Sequence, residues 1–313
     1  MRIKKRLAAM VTVALIAGSI AGCGNGNESA AIEPELPAVE VPANQPVEQE
    51  EQELQGEILI AVAASLQNAF EKELIPLFNE EFPGVKVTGT YDGSGKLQTQ
   101  IEAGLEAALF FSAAAKQMNA LIEAGLIDES TVVNLLENEV VLITGTDIDM
   151  DAVDTDSDGI IMHELEDGGT ITSSLYTAVT GFENISDAKS IAIGDPASVP
   201  AGQYAEEILT SLGSWEEVSA RASLGMNVTE VLNWVAEGSA EVGIVYMTDA
   251  MSMQDRVRVI AAATGDMLET PVVYPVGLMT GLGDRAEAAQ AFLDFLKSPE
   301  AASVFASYGF KTI

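Results

Sequence analysis

A strand predicted at Ser190–Gly194 runs through Asp195-Pro196-Ala197-Ser198-Val199-Pro200-Ala201-Gly202 into a helix predicted at Gln203–Leu212. Pro196 and Pro200 stiffen this approach, and Ala201 and Gly202 keep bulky side chains off the first turn. The unpaired N–H groups of such a helix start point outward, and the helix dipole favours a negative guest. No Lys or Arg lies between Ser190 and Gln203, so an anion held here is held by neutral dipoles. Ser65 and Ser94 offer related chemistry: each follows a strand and opens a helix, and each can present a hydroxyl beside backbone N–H groups. Taken singly, either serine reads more plainly as an N-cap. Asn227-Val228-Thr229-Glu230 resembles a capping box at a further helix start, and Tyr246 ends a strand. Together these helix starts and one phenol can converge on a cleft.

The elements that would position them alternate from Glu57 onward. Strands are predicted at Ile58–Ala63, Val85–Tyr91, Leu109–Ser112, Val140–Thr144, Val242–Tyr246, Val257–Ala261 and Val272–Met279. Helices are predicted from Ser65, with a buried stripe of Leu66, Phe70, Leu74 and Phe78 interrupted at Pro76, and at Lys96–Ala103 and Lys116–Ala124. Asp284 is placed to cap Arg285–Lys297, and Ser298-Pro299-Glu300 starts the last helix. This alternation argues for α/β with mainly parallel sheets, and the length of the folded part suggests two lobes.

Catalytic chemistry finds little support. His163 is the only histidine, which excludes a histidine metal cluster, and its acidic surroundings suit a solvated loop. Thr90–Leu97 (TYDGSGKL) lacks the first glycine of a phosphate loop, and Leu97 stands where a magnesium-binding hydroxyl is needed. Asp92-Gly93-Ser94-Gly95 does not have the spacing of a nucleophile elbow. Asp154, Asp156 and Asp158 match the first half of a calcium loop, but Leu165 occupies the position of the bidentate Glu. No active site is legible, and the chain is not expected to be an enzyme or to carry a cofactor.

Composition narrows the partners. The chain has 48 acidic and 15 basic residues and a formal charge of −33. Arg2, Lys4, Lys5 and Arg6 precede an apolar run at Leu7–Ile20 that is short for a spanning helix. The following Ser19-Ile20-Ala21-Gly22-Cys23 resembles a bacterial lipoprotein signal, which implies cleavage before Cys23 and a diacylglyceryl group on its sulfur. An ordinary signal peptide and an uncleaved anchor are the alternatives. Beyond Cys23 remain 11 basic and 48 acidic residues, a charge of −37 that repels nucleic acid and anionic lipid. Cys23 is the only cysteine, so no intramolecular disulfide supports the fold. Glu28–Gln55, with eight Glu, four Pro and no basic residue, reads as a self-repelling disordered tether.

Ala61–Ala69 (AVAASLQNA), Asp92–Ile101 (DGSGKLQTQI), Gly194–Ala205 (GDPASVPAGQYA), Gly243–Ala250 (GIVYMTDA) and Val273–Val276 (VYPV) resemble, in order and spacing, the molybdate-binding proteins of ABC transporters. The ending Ala291–Phe310 is similar to that family's last helices. The resemblance implies a two-lobed periplasmic-binding-protein-like fold (type II) with the ligand cleft between the lobes. Taken with the N-terminal reading, the expected organisation is a signal at residues 1–22, a lipidated tether at 23–56, one lobe at 57–139 plus 271–313 and the other at 140–270. The family's ligand positions fall on Ser65 and Ser94 in one lobe and on Ala201, Val228 and Tyr246 in the other. The implied ligand is molybdate or tungstate, and the implied partner an ABC transporter permease, with the monomeric protein anchored to the cell membrane's extracytoplasmic face by lipid alone. Sulfate, thiosulfate or phosphate binding, and a sensory or adhesion lipoprotein that keeps the fold, are the alternatives. Where the family usually has Asp, this chain has Ala108 and Ala114, and Asp92 could offer an acceptor to a protonated ligand if it turned inward.

Overall fold

The computed structural model describes residues 54–147, 161–164, 170–173, 177–269 and 271–313. Cys23, the leader, most of the tether and the candidate calcium residues Asp154, Asp156 and Asp158 lie outside the described residues. No helix among the described residues is long and apolar enough to cross a membrane.

In chain order the strands are β1 (Gly56–Ala63), β2 (Val85–Asp92), β3 (Leu109–Phe111), β4 (Val133–Asn138), β5 (Val140–Gly145), β6 (Ile161–Glu164) and β7 (Thr170–Ser173). They continue with β8 (Ile191–Gly194), β9 (Ser223–Gly225), β10 (Val242–Tyr246), β11 (Val257–Ala262), β12 (Val272–Leu278) and β13 (Lys311–Thr312). One six-stranded sheet has the order β13-β4-β12-β3-β1-β2, and a five-stranded sheet has the order β11-β5-β10-β8-β9. β6 and β7 pair with each other as a separate antiparallel ribbon.

The sheets are mixed, which corrects the expectation of mainly parallel pairing. β1–β2, β1–β3, β8–β9 and β8–β10 are parallel, whereas β12 and β13 in the first sheet and β5 and β11 in the second pair antiparallel. The reason is the passage between sheets. The chain leaves the first sheet through β4 and enters the second at β5 with only Glu139 between them. It returns from β11 to β12 without a helix, and parallel neighbours need a helical crossover.

Alternating side chains of β1 split the first sheet's two cores. Ile58, Ile60 and Val62 join Phe70, Phe78, Phe292 and Phe305 on one face, while Ala61 joins Leu97, Phe110, Met118 and Leu121 on the other. Phe70 meets Phe111 edge-on at 5.9 Å, and Phe78 meets Phe292 edge-on at 4.8 Å. Leu66, Phe70, Leu74 and Phe78 are all fully buried, as the predicted stripe requires. Pro76 does not break their helix. A π turn at Phe70–Leu74 precedes Ile75–Glu81, and Pro76 lies in the first turn of that segment, where a missing N–H is tolerated. Ala108 and Ala114 are buried and held through their backbones: Ala108 N–H donates to Leu59 O at 2.6 Å, and Ala114 N–H to Ser112 Oγ at 3.2 Å.

Other boundaries shift. Asp284 lies inside a 3-10 turn, Gly283–Arg285, and does not cap the following helix Ala286–Leu296. Ser298 does cap Pro299–Ser307, its Oγ accepting from Ala301 N–H at 3.1 Å. The helix predicted from Gln203 begins at Pro200 and runs to Ser211. Gly202 therefore sits in its first turn, where a Cβ would stand 2.5 Å from Gly194 C and closer still to Gly194 O. Neither backbone atom can yield, so Gly202→Ala is expected to cost about 1–3 kcal/mol despite alanine's better helix propensity. Urea unfolding of both proteins reads this directly, and an unchanged midpoint would show that the helix can slide away.

Candidate functional site

Every predicted donor sits at or beyond the carboxyl end of a strand that has a parallel neighbour. Ser65 follows β1 and Ser94 follows β2, whose register pairs Ala63 with Asp92 and so brings the two serines side by side. Ala201 follows β8 and Val228 follows β9, where Gly194 pairs with Gly225, and Tyr246 ends β10. Carboxyl ends of parallel strands are where open α/β sheets collect ligands, because helix N-termini gather there. Here two such edges face each other. Ser65, Ser94, Ala201, Val228 and Tyr246 all line one small, tight cavity that is partly open to solvent.

The helix starts present bare donors. In Pro200–Ser211 the first intrahelical bond is Gln203 N–H to Val199 O at 3.0 Å, so the N–H of Ala201 precedes it. Asn227 caps Val228–Ala236, its Oδ1 accepting from Glu230 N–H at 3.0 Å, which leaves the N–H of Val228 outside the cap's reach. Only half of the expected capping box forms, since Glu230 Oε2 accepts from Met226 N–H at 2.7 Å and not from Asn227.

Neither serine is an N-cap, which corrects that reading. Ala63 and Gly93 occupy the cap positions, and no side chain caps either helix. Ser65 Oγ bonds Tyr274 Oη at 3.0 Å, and Ser94 Oγ accepts from Ala113 N–H at 3.0 Å. Accepting from a backbone donor leaves the Ser94 hydroxyl hydrogen to give away.

Tyr246 is the telling group. It is 1% exposed, and its Oη is a buried polar atom that makes no well-formed hydrogen bond among the described residues, although the Tyr274 phenol lies close by. Burial pushes its phenol well above the usual range, with the neighbouring Tyr274, Tyr204 and Asp249 adding to the effect. It is therefore a neutral donor at any ordinary pH. Leaving a buried hydroxyl unpaired costs about 1–3 kcal/mol, and a guest oxygen in the cavity would relieve that cost.

No Lys or Arg lines the cavity. Asp92 does line it, but its carboxylate is engaged. Lys96 Nζ lies 2.5 Å from Oδ2, and Gly93 N–H donates to Oδ1 at 2.9 Å. Asn227 Nδ2 also reaches Oδ1 at 3.5 Å, across from the other sheet. Three donors thus already engage this carboxylate, which makes it less available to a protonated ligand.

The profile of the bacterial extracellular solute-binding proteins matches residues 58–311. The chain belongs to that family. This solute-binding protein is 34% identical over 253 residues to YvgL of Bacillus subtilis (strain 168), provisionally named an ABC transporter substrate-binding lipoprotein; the match covers 81% of this chain and 85% of YvgL. It is also 34% identical over 256 residues to the molybdate-binding protein ModA of Escherichia coli (strain K12), covering 82% and 89% of the two chains. Among solved structures, the periplasmic molybdate-binding protein of Azotobacter vinelandii shares the fold at a TM-score of 0.63 and 19% identity, covering 81% of this chain and 98% of that one. The two-lobed binding-protein fold is accordingly the fold of this chain, and its family is one of solute binding rather than catalysis.

Four polar residues around the solute-binding protein's cavity were not foreseen as functional. Tyr274, Asn138, Thr248 and Asp249 are all buried and sit behind Ser65 and Tyr246. Tyr274, Thr248 and Asp249 lie inside the motifs VYPV and GIVYMTDA, but nothing in their local sequence tells a buried polar residue from a strand or helix filler.

Proposed function

We propose that the protein captures molybdate, and tungstate with it, outside the cytoplasm and delivers it to the permease of an ABC importer. The observation that carries this reading is the unpaired, buried Tyr246 Oη facing the Ser65 and Ser94 hydroxyls and two helix N-termini across one cavity. Such a set presents donors from both sides of the cavity, which suits a tetrahedral dianion that carries no proton. Hydrogen bonds to a charged guest contribute about 1.5–3 kcal/mol each, so several reach the roughly −8 kcal/mol of micromolar binding. The similarity to ModA supports molybdate over other oxyanions.

In this reading residues 57–139 with 271–313 form one lobe and 140–270 the other, and they part about Glu139 and the β11–β12 connection to admit the anion. The monomer is tethered through a lipidated Cys23, as YvgL's name is consistent with. The acidic surface slows anion approach, so affinity resides in the pocket.

Thermal melting of the protein against molybdate, tungstate, sulfate, thiosulfate and phosphate tests the proposal. A ligand at a hundredfold its dissociation constant stabilises by about 2.7 kcal/mol. A shift with molybdate and tungstate is expected. A shift with phosphate alone would overturn the molybdate reading, and no shift with any oxyanion would point to the sensory or adhesion role. In Tyr246→Phe, molybdate binding should weaken about 10- to 100-fold. The ligand-free melting temperature should stay level or rise, because the variant discards an unpaired hydroxyl. A marked fall in that temperature would make Tyr246 structural.

A further inference from the structure

We propose that Tyr274 and Asn138 set the direction of the Ser65 hydroxyl and thereby make the site selective for fully deprotonated anions. The inference rests on the oxyanion reading of the cavity above, and neither residue lines that cavity.

The argument is a count of hydrogens. Asn138 is buried at the end of β4, and its Oδ1 accepts from Glu139 N–H at 2.9 Å. A backbone N–H can only donate, so the amide's orientation is fixed and Nδ2 faces the other way. Its two hydrogens have two takers, Thr248 Oγ1 at 2.9 Å and Tyr274 Oη at 3.2 Å. Tyr274 is 0% exposed, and its Oη makes one further well-formed hydrogen bond, with Ser65 Oγ at 3.0 Å, while the Tyr246 phenol lies close by. Oη accepts from Asn138, and its own hydrogen has two acceptors in reach, Ser65 Oγ and the neighbouring Tyr246 Oη; it goes to Ser65 Oγ, the one at full hydrogen-bond distance. Ser65 then accepts from behind, and its hydrogen is left to point into the cavity. The chain of donation runs one way, from Glu139 N–H through Asn138, Tyr274 and Ser65 to the guest.

The consequence is specificity. A free serine rotor can donate to a bare oxygen or accept from a protonated one. A serine whose oxygen already receives the Tyr274 proton is biased toward donation, so a guest O–H meets hydrogens where it needs a lone pair. Tyr274 is held to this task by packing, with Tyr246 edge-on at 5.7 Å and Phe310 at 5.4 Å. Tyr274 and Asn138 are thus positioning residues that act through Ser65.

Calorimetric titration of molybdate and of phosphate at a pH where hydrogen phosphate is populated tests this in wild type, Tyr274→Phe, Ser65→Ala and the double variant. Tyr274→Phe keeps the ring and is expected to weaken molybdate about tenfold and to narrow the preference over phosphate by a similar factor. In the Ser65→Ala background the same change should have no further effect on either anion. An equal loss in both backgrounds, or an unchanged preference, would overturn the assignment, since Tyr274 would then act by packing alone. Should Tyr274→Phe melt too low to titrate, Asn138→Ala removes the amide that fixes the direction and keeps the phenol. It should narrow the preference, again only when Ser65 is present, and an unchanged preference overturns the proposal. A wild type that binds neither anion sinks the oxyanion reading itself, and this assignment with it; the other failures leave that reading standing.

Discussion

Replacing Gly95 with alanine is expected to cost molybdate affinity about 10- to 100-fold while leaving the ligand-free protein as stable as before. Gly95 follows β2 of the first sheet, and its N–H donates to Ser198 O at 2.9 Å, beyond β8 of the second. This backbone bond crosses between the two sheets beside the cavity. A Cβ on Gly95 would stand 2.5 Å from Ser198 O, 2.8 Å from its Cα and 3.0 Å from its C. All three are backbone atoms at the approach to Pro200–Ser211, so the clash cannot be relieved by turning a side chain. Gly93, on the other side of Ser94, is nearly as tight, with Met226 O 2.9 Å from its Cβ position. The two glycines let the segments on either side of the cavity come within hydrogen-bond distance. If the lobes part before binding, the clash exists only in the closed form. In the open form Gly95→Ala lies in the first turn of Ser94–Glu102, where alanine is the better helix former by up to about 1 kcal/mol. The variant thus acts as a closure defect: calorimetry should show weak binding, and melting without ligand should show no loss. Wild-type affinity in Gly95→Ala would mean that the anion is bound without this contact.

The parts of this arrangement that were legible in the sequence are those with local causes. Pro200, Ala201 and Gly202 spell a helix start because proline fixes φ and small residues leave the N–H groups bare. Asn227 spells another because its side chain can cap the turn after it, and the structure shows it doing so. The strand ends came from short apolar runs, and Tyr246 came with one of them. What local sequence could not give was the use of each hydroxyl. Ser65 looked like a cap, but its partner is Tyr274, 209 residues away, and Ser94 serves Ala113, 19 residues on. Sheet polarity failed for a similar reason. Apolar runs read alike in parallel and antiparallel strands, and the single-residue passage at Glu139 that reverses the pairing has no composition of its own.

The second large effect concerns Asp249, which no reading of the sequence singled out. It is 5% exposed in the helix Met247–Ser252, beneath the cavity's Tyr246, whose N–H donates to its Oδ2 at 3.2 Å. Burial dominates that one favourable bond and pushes its carboxyl up from 3.8 to about 7. Between these values the folded protein holds a proton that the unfolded chain has released, so stability falls as pH rises through this window. Above about pH 8 the full penalty of a buried carboxylate is present, roughly 4 kcal/mol, and between pH 5 and 8 the change is about 2–3 kcal/mol. In a chain of this size that corresponds to a melting temperature lower by about 5–10 °C at pH 8 than at pH 5 from this group alone. Asp249→Asn keeps an acceptor for Tyr246 N–H and removes the titration. Its melting temperature should therefore vary with pH less than the wild type's by that amount, the gain appearing at pH 8 and fading toward pH 5. The subtraction cancels the many exposed carboxylates, which titrate alike in both proteins. Parallel curves for the two proteins between pH 5 and 8 would show that Asp249 is ionised throughout, and that water or a rearranged Tyr246 supports its charge.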